Sequence, residues 1–265
     1  MDLGKRILTA IVGIPILIAL ILAGRISFFV LIEIAIFISI LEYINMVQAI
    51  DGRPTVFITI VGALGLPLVN LYGGLSADMA WLLLWFTLAL GVETLSRKRI
   101  NWDCVRKSFI GVIYIGGLFT VLTMIFSLKD GSNFVLYTFA AVWVADTSAF
   151  FIGRFLGRNK LAPRLSPNKT VEGAIGALVV TAAVFGLLSF MPGLTTIERV
   201  IFGLSIALAA GLGDLFESSL KRQAGVKDSG SILPGHGGFL DRVDSLLFGG
   251  VASFLLLKLM TGLGG

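Results

Sequence analysis

The chain has 265 residues, of which 56% are hydrophobic and 14% charged, and it carries a formal net charge of +5; the mean hydropathy is +0.95. Soluble domains carry about 25% charged residues, so this composition lacks the polar surface that a soluble fold needs. One cysteine (Cys104) and one histidine (His236) exclude an intrachain disulfide and argue against a Cys/His zinc site, and the positive charge suits anionic lipid rather than nucleic acid, for which no soluble domain is left.

Lys5 and Arg6 precede an apolar run from Ile7 to Ala23. The run is too long for a signal-peptide core and no small-x-small cleavage site follows, so a retained first span is expected. A helix needs about 20 apolar residues to cross a bilayer. Nine stretches qualify: 7–24, 27–48, 55–72, 79–95, 108–128, 133–155, 171–190, 198–219 and 240–261. These runs are continuous rather than alternating, which predicts an all-α, polytopic membrane fold with every backbone group satisfied inside lipid. About five spans fall in an N-terminal part, 1–130. The part 131–265 holds the remaining spans and most of the unusual polar residues.

Placing the N-terminus in the cytoplasm puts all of the 21 lysines and arginines on the inner side except Arg25, Lys129, Arg199 and Lys258. The positive-inside rule favours that orientation. The expectation is a multi-pass protein of the cell's inner (plasma) membrane, with the polar loops 156–170 and 220–239 facing cytosolic nucleotides.

Intramembrane acids are costly and usually face a cavity or a partner. Glu33 and Glu42 on the second span lie nine residues apart, hence on opposite faces. Glu42 and Glu93 sit near cytoplasmic ends and are expected to reach water. Trp81 and Trp85 read as an interfacial anchor or a packing stripe. The eighth span is more telling, because Asp214, Glu217, Ser218 and Lys221 fall at i, i+3, i+4 and i+7 on one helical face. The ninth opens with Asp241 and Asp244, again on a shared face. Two short acidic faces on consecutive helices are placed to converge on one cation, and carboxylate oxygens are the hard ligands that Mg²⁺ prefers. Taken singly, these acids also suit helix ends, where Asp241 complements the dipole and Glu217 pairs with Lys221. Between the two faces runs Lys227-Asp228-Ser229-Gly230-Ser231-Ile232-Leu233-Pro234-Gly235-His236-Gly237-Gly238. Its glycines allow positive φ and a close backbone approach, and N–H groups in such turns cradle phosphates. Lys221, Arg222, Lys227 and Arg242 add positive charge for a polyanionic substrate.

These residues also carry a family pattern. Ser218-Ser219-Leu220-Lys221-Arg222, four residues, Lys227-Asp228, then His236-Gly237-Gly238-Phe239-Leu240-Asp241-Arg242-Val243-Asp244 resembles the signature S-x-x-K-R-x4-K-D…H-G-G-x-x-D-R-x-D of the phosphatidate cytidylyltransferases. Val144-Ala145-Asp146-Thr147-Ser148-Ala149-Phe150-Phe151-Ile152-Gly153-Arg154 and Ser166-Pro167-Asn168-Lys169-Thr170-Val171-Glu172-Gly173 resemble two further segments of the family. Phe150 and Asn168 depart mildly from the usual tyrosine and lysine. Ser166-Pro167 also reads as a helix start, cap followed by first turn.

The resemblance implies transfer of CMP from CTP to phosphatidic acid, giving CDP-diacylglycerol and pyrophosphate with Mg²⁺ as cofactor; a second cation is left open. It implies metal at Asp214, Asp241 and Asp244, with Glu217 and Asp228 as helpers and Asp146 orienting a ligand or a cation. Lys169, Asn168, Lys221, Arg222, Arg242, Gly237 and Gly238 would bind substrate, and Lys227 and His236 join the catalytic set. Membrane lipid is the surrounding partner, and a homodimer is compatible with the sequence. Another CTP-dependent lipid transferase or kinase is the alternative within enzymes. A secondary transporter would account for Asp146 and Asp214 but not for the run of lysines, glycines and aspartates, and no inverted repeat supports it.

Overall fold

The computed structural model of the chain describes residues 3–48, 54–96, 100–187, 191, 193–230, 232 and 237–260, the side chains of residues 3–10 excepted. The elements are α1 (Leu3–Leu22), α2 (Arg25–Gln48), α3 (Val56–Ser96), α4 (Trp102–Gly111), a π-helical stretch (Val112–Gly117), α5 (Leu118–Phe126), α6 (Gly131–Leu156), β1 (Lys160–Ala162), β2 (Ser166–Thr170), α7 (Val171–Leu187), α8 (Thr196–Gln223) and α9 (Leu240–Met260). Among the described residues, six helices are long and apolar enough to cross a membrane: α2, α3, the continuous run Trp102–Phe126, α6, α8 and α9. Ile11–Leu22 and α7 are shorter apolar helices. The chain is thus a multi-pass helical membrane protein.

Two of the nine expected stretches, 55–72 and 79–95, lie within the single 41-residue element α3. Its helical geometry breaks at Gly74, with φ 58° and ψ −147°, a region essentially reserved for glycine. The indole N–H of Trp85 donates to the carbonyl of Ile58 at 2.8 Å, and that of Trp81 to Gly62 at 3.1 Å. On a straight helix, Trp85 and Ile58 would stand about 40 Å apart. The element therefore doubles back into a helical hairpin, and the tryptophans are its packing stripe. Asn70 donates to Asp78 at 2.6 Å across the reversal.

The chain divides into two compact units: residues 1–124 with 220–241, and residues 125–219 with 242–265. In the first, α2 supplies a buried row of Ile36, Ile40, Tyr43 and Ile44. Tyr43 donates its hydroxyl to the carbonyl of Lys107 at 2.9 Å, fastening α2 to α4. Glu93, expected to reach water, is instead buried and accepts the N–H of Asn101 at 3.2 Å. That bond closes the turn from α3 into α4, whose first amides Asn101 caps.

In the second unit, α6 and α7 pack through small residues. A Cβ on Gly173 would sit 2.7 Å from the carbonyl oxygen of Ala149 and 3.1 Å from Cα of Gly153. Such close backbone approach is how membrane helices associate without a hydrophobic driving force. The loop 156–170 adds a small sheet to the expected all-α fold: β1 and β2 form an antiparallel hairpin, with Lys160 opposite Thr170 and Ala162 opposite Ser166. Glu172 closes its base by accepting from the N–H of Arg158 at 3.0 Å and the side chain of Asn159 at 2.8 Å. The helix start expected at Ser166-Pro167 is corrected here. Those residues lie in β2, and Thr170 caps α7 by accepting the N–H of Gly173 at 3.2 Å. Proline's missing donor is equally tolerable on an edge strand as in a first helical turn, so the local signal admits both.

Candidate active site

Glu42, Lys221 and Asp241 organise a polar cluster in the first unit. Lys221 Nζ lies 2.6 Å from Asp241 Oδ1, with the two side chains 13% and 9% exposed. Asp241 Oδ2 accepts the N–H groups of Ser229 and Gly238, each at 3.0 Å. Asp241 is the second residue of α9, where amides lack an intrahelical acceptor and negative charge is favoured. Ser229 Oγ accepts the N–H of Asp241 at 3.3 Å and donates to Glu42 at 3.1 Å. Glu42 also accepts from the N–H groups of Phe239 and Leu240, at 2.9 and 2.8 Å. The expectation that Glu42 reaches water is therefore corrected: it is 2% exposed. Gly237 adopts a positive φ of 83°. Arg222, Lys227 and Asp228 are exposed, and Arg222 donates to the carbonyl of Val226 at 3.2 Å. His236 lies outside the described residues.

The second unit holds a cavity of about 850 Å³. Its polar lining comes from Asp146, Arg154, Lys160, Asn168, Lys169 and Asp214. Phe150, Leu178, Leu208 and Leu212 make apolar wall. The hairpin β1–β2 delivers Lys160, Asn168 and Lys169, α6 delivers Asp146 and Arg154, and α8 delivers Asp214. Lys169 Nζ lies 2.6 Å from Asp214 Oδ2, while Ser218 donates to the other oxygen at 3.3 Å. Asp146 accepts from Ser245 at 3.4 Å. Asp244 is buried and accepts the N–H of Ser245 at 2.7 Å; Glu217 is fully buried and Arg242 exposed.

The structure thus brings Lys169, Asn168, Asp214 and Asp146 to one cavity, and Lys221 and Asp241 to one ion pair. Among the described residues, no three histidine, cysteine, aspartate or glutamate side chains gather as a ready metal cluster. The oxygens of Asp146 and Asp214 on a shared cavity are nevertheless the donors that Mg²⁺ takes, since it commonly uses one or two carboxylates and completes its shell with water and phosphate. Sequence reasoning gave no site role to Arg154, although it closes one of the family segments, to Lys160, whose only signal is positive charge in the polar loop, or to Glu42.

The cavity of this helical membrane protein pairs lysines and carboxylates with apolar wall, a lining that suits an anionic amphiphile. The chain belongs to the cytidylyltransferase family, whose model matches residues 4–260. It is 34% identical to the phosphatidate cytidylyltransferase of Bacillus subtilis (strain 168), over 98% of this chain and 99% of that protein. It is 35% identical to the phosphatidate cytidylyltransferase of Staphylococcus haemolyticus (strain JCSC1435), over 92% and 94%. The Staphylococcus aureus (strain COL) protein of the same name is 33% identical over the same shares.

The Lys221–Asp241 pair yields a stability prediction. Lys221→Met leaves a buried carboxylate without its cation and should destabilise the protein by about 3–5 kcal/mol. Adding Asp241→Asn should recover part of that stability without recovering turnover. Thermal unfolding of the singles and the double in detergent, beside an activity assay, checks both halves.

Proposed function

We propose that the chain catalyses transfer of CMP from CTP to phosphatidic acid, releasing CDP-diacylglycerol and pyrophosphate. The near full-length match to relatives bearing that activity's name carries the reading. The cavity of the second unit supports it, since cations at Arg154, Lys160 and Lys169 suit a phosphate headgroup and Leu178, Leu208 and Leu212 suit acyl chain.

In this reaction a phosphate oxygen of the lipid bonds to the α-phosphorus of CTP, and the bond to the departing pyrophosphate breaks. Such transfers depend on positioning and charge neutralisation rather than on a protein nucleophile. Lys169, held by Asp214, and Lys221, held by Asp241, keep their ammonium groups directed for phosphate oxygens. Arg222, Lys227 and Arg242 add exposed positive charge, and the N–H groups of the glycine-rich loop suit phosphate as well. Asp146 and Asp214 are the proposed holders of Mg²⁺, which when bound supplies positive charge against the phosphates. In this reading Asp241 serves chiefly to hold Lys221 and the loop.

The proposed topology has nine spans: α1, α2, both arms of α3, Trp102–Phe126, and α6 to α9. The N-terminus and the hairpin β1–β2 face the cytoplasm across the inner membrane. Cation placement supports this, because hairpin and loop residues carry Lys160, Arg164, Lys169 and Lys227 while the opposite side keeps few.

Two experiments test these readings. Purified protein in detergent should release pyrophosphate from CTP only when phosphatidate is present. Asp214→Asn should cut the rate about 100-fold, the scale of one lost electrostatic contact in the transition state. Glu33→Gln should leave it near wild type. Pyrophosphate release without lipid contradicts the proposal. For topology, Cys104 is buried, so it is changed to serine and single cysteines are placed at exposed Arg164 and Lys129. A membrane-impermeant maleimide should reach position 129 in intact cells and position 164 only in inside-out vesicles. The reverse pattern overturns the orientation.

A further inference from the structure

Glu42 belongs to none of the segments that carry the family pattern. It lies on α2, and the nearest residue of the loop that it holds, Ser229, is 187 positions away in sequence. Three donors of that loop converge on its carboxylate: the hydroxyl of Ser229 and the N–H groups of Phe239 and Leu240. Leu240 opens α9, so the last two amides are ones that a helix start leaves unsatisfied. A carboxylate from a distant helix does here what a local cap does elsewhere.

The loop is shaped to receive it. A Cβ on Gly230 would run into the Glu42 carboxyl group, and one on Gly238 into the Ser229 hydroxyl and the backbone of Gly230 before it met Glu42, so the backbone closes over the carboxylate only with small residues there. Ser229 then extends the link, because the hydroxyl that donates to Glu42 also accepts the N–H of Asp241. Asp241 in turn holds Lys221. A buried charge is costly unless it is hydrogen-bonded, and this one is met by Ser229 and Phe239 of the loop and by Leu240 at the start of α9.

We propose that Glu42 is a positioning residue for CMP transfer. Its carboxylate fixes Ser229 and the Phe239–Leu240 entry to α9 and, through Ser229, the Lys221–Asp241 pair, in the geometry that the reaction uses. The proposal rests on the reading of Lys221 and Asp241 as part of the phosphate-binding machinery.

Glu42→Gln is the informative change because it keeps the volume. Either orientation of the glutamine amide turns its NH₂ toward the N–H of Phe239 or of Leu240, so one donor always faces a donor. Assayed in detergent with CTP and phosphatidate, Glu42→Gln should lower kcat about 100-fold while KM for CTP changes less than about threefold, as expected when reacting groups are misplaced rather than binding lost. Glu42→Asp restores an acceptor-only group with shorter reach and should recover about tenfold over the glutamine variant. Ser229→Ala should lower kcat in a protein that remains folded, with only a modest fall in melting temperature. Combined with Glu42→Gln it should cost no more than Glu42→Gln alone, since both cut one link. Glu33→Gln, on the same helix, is the control and should behave as wild type.

A folded Glu42→Gln protein with wild-type kcat overturns the proposal, as do fully additive losses with Ser229→Ala. Should Glu42→Gln not fold, Ser229→Ala decides: a lowered kcat supports the link and a wild-type kcat refutes it. If Lys221→Met and Asp241→Asn retain full turnover, the reading of the loop as catalytic falls first and takes the proposal with it. If those two are inactive while Glu42→Gln and Ser229→Ala are not, the proposal alone falls.

Discussion

A carboxylate carried into a helical interior beside lipid must be matched by cations or N–H groups, because the alternative is a bare charge in a medium that solvates it poorly. Among the described residues that matching organises the surroundings of three acids. Asp214 is matched by Lys169 and Ser218, Asp241 by Lys221 and two loop amides, and Glu42 by a hydroxyl and two amides. Each acid fixes donors that would otherwise sample many positions. The lysines are flexible four-carbon chains, and an ion pair is what gives their ammonium groups a direction.

The same matching ties chemistry to fold. Lys169 reaches Asp214 because β2 ends directly at the start of α7, and α7 lies close on α6 through Gly153 and Gly173. Larger residues at those glycines would move the hairpin, and with it the cations at one end of the cavity. Lys221 reaches Asp241 because α8 runs on past Ser219 to Gln223, well beyond its apolar stretch. The cations and carboxylates of the proposed site thus sit largely on helix ends and on a short hairpin braced by Glu172, which are firmer supports than open loops.

Much of this was legible in the sequence, for identifiable reasons. Continuous apolar runs announce membrane helices because lipid imposes one requirement on every residue of a span. The spacing of Asp214 and Lys221 on one helix, and of Asp241 and Asp244 on the next, follows from the helical repeat alone. The family pattern singled out Lys169, Asp146 and the glycine-rich loop, and Lys169 and Asp146 line the same cavity as Asp214. The hairpin β1–β2 escaped notice because its strands have three and five residues and alternate no apolar side chains. The apolar run from 171 coincides with the start of α7, whereas the helix-start signal at Ser166-Pro167 misleads because proline fits an edge strand as well as a first helical turn. In sequence Glu42 reads as a solvated end charge because its partners lie 187 to 198 residues away. Only tertiary structure brings them together.

The central claim is that this protein moves the nucleotidyl group of CTP, not its terminal phosphate, onto a lipid phosphate. Two preparations of CTP, one labelled at the α-phosphorus and one at the γ-phosphorus, decide it directly when each is incubated with purified protein, Mg²⁺ and phosphatidate. The account predicts α-label in the lipid product and an equal amount of γ-label in free pyrophosphate. Recovery of γ-label in the lipid would identify a kinase and contradict the account.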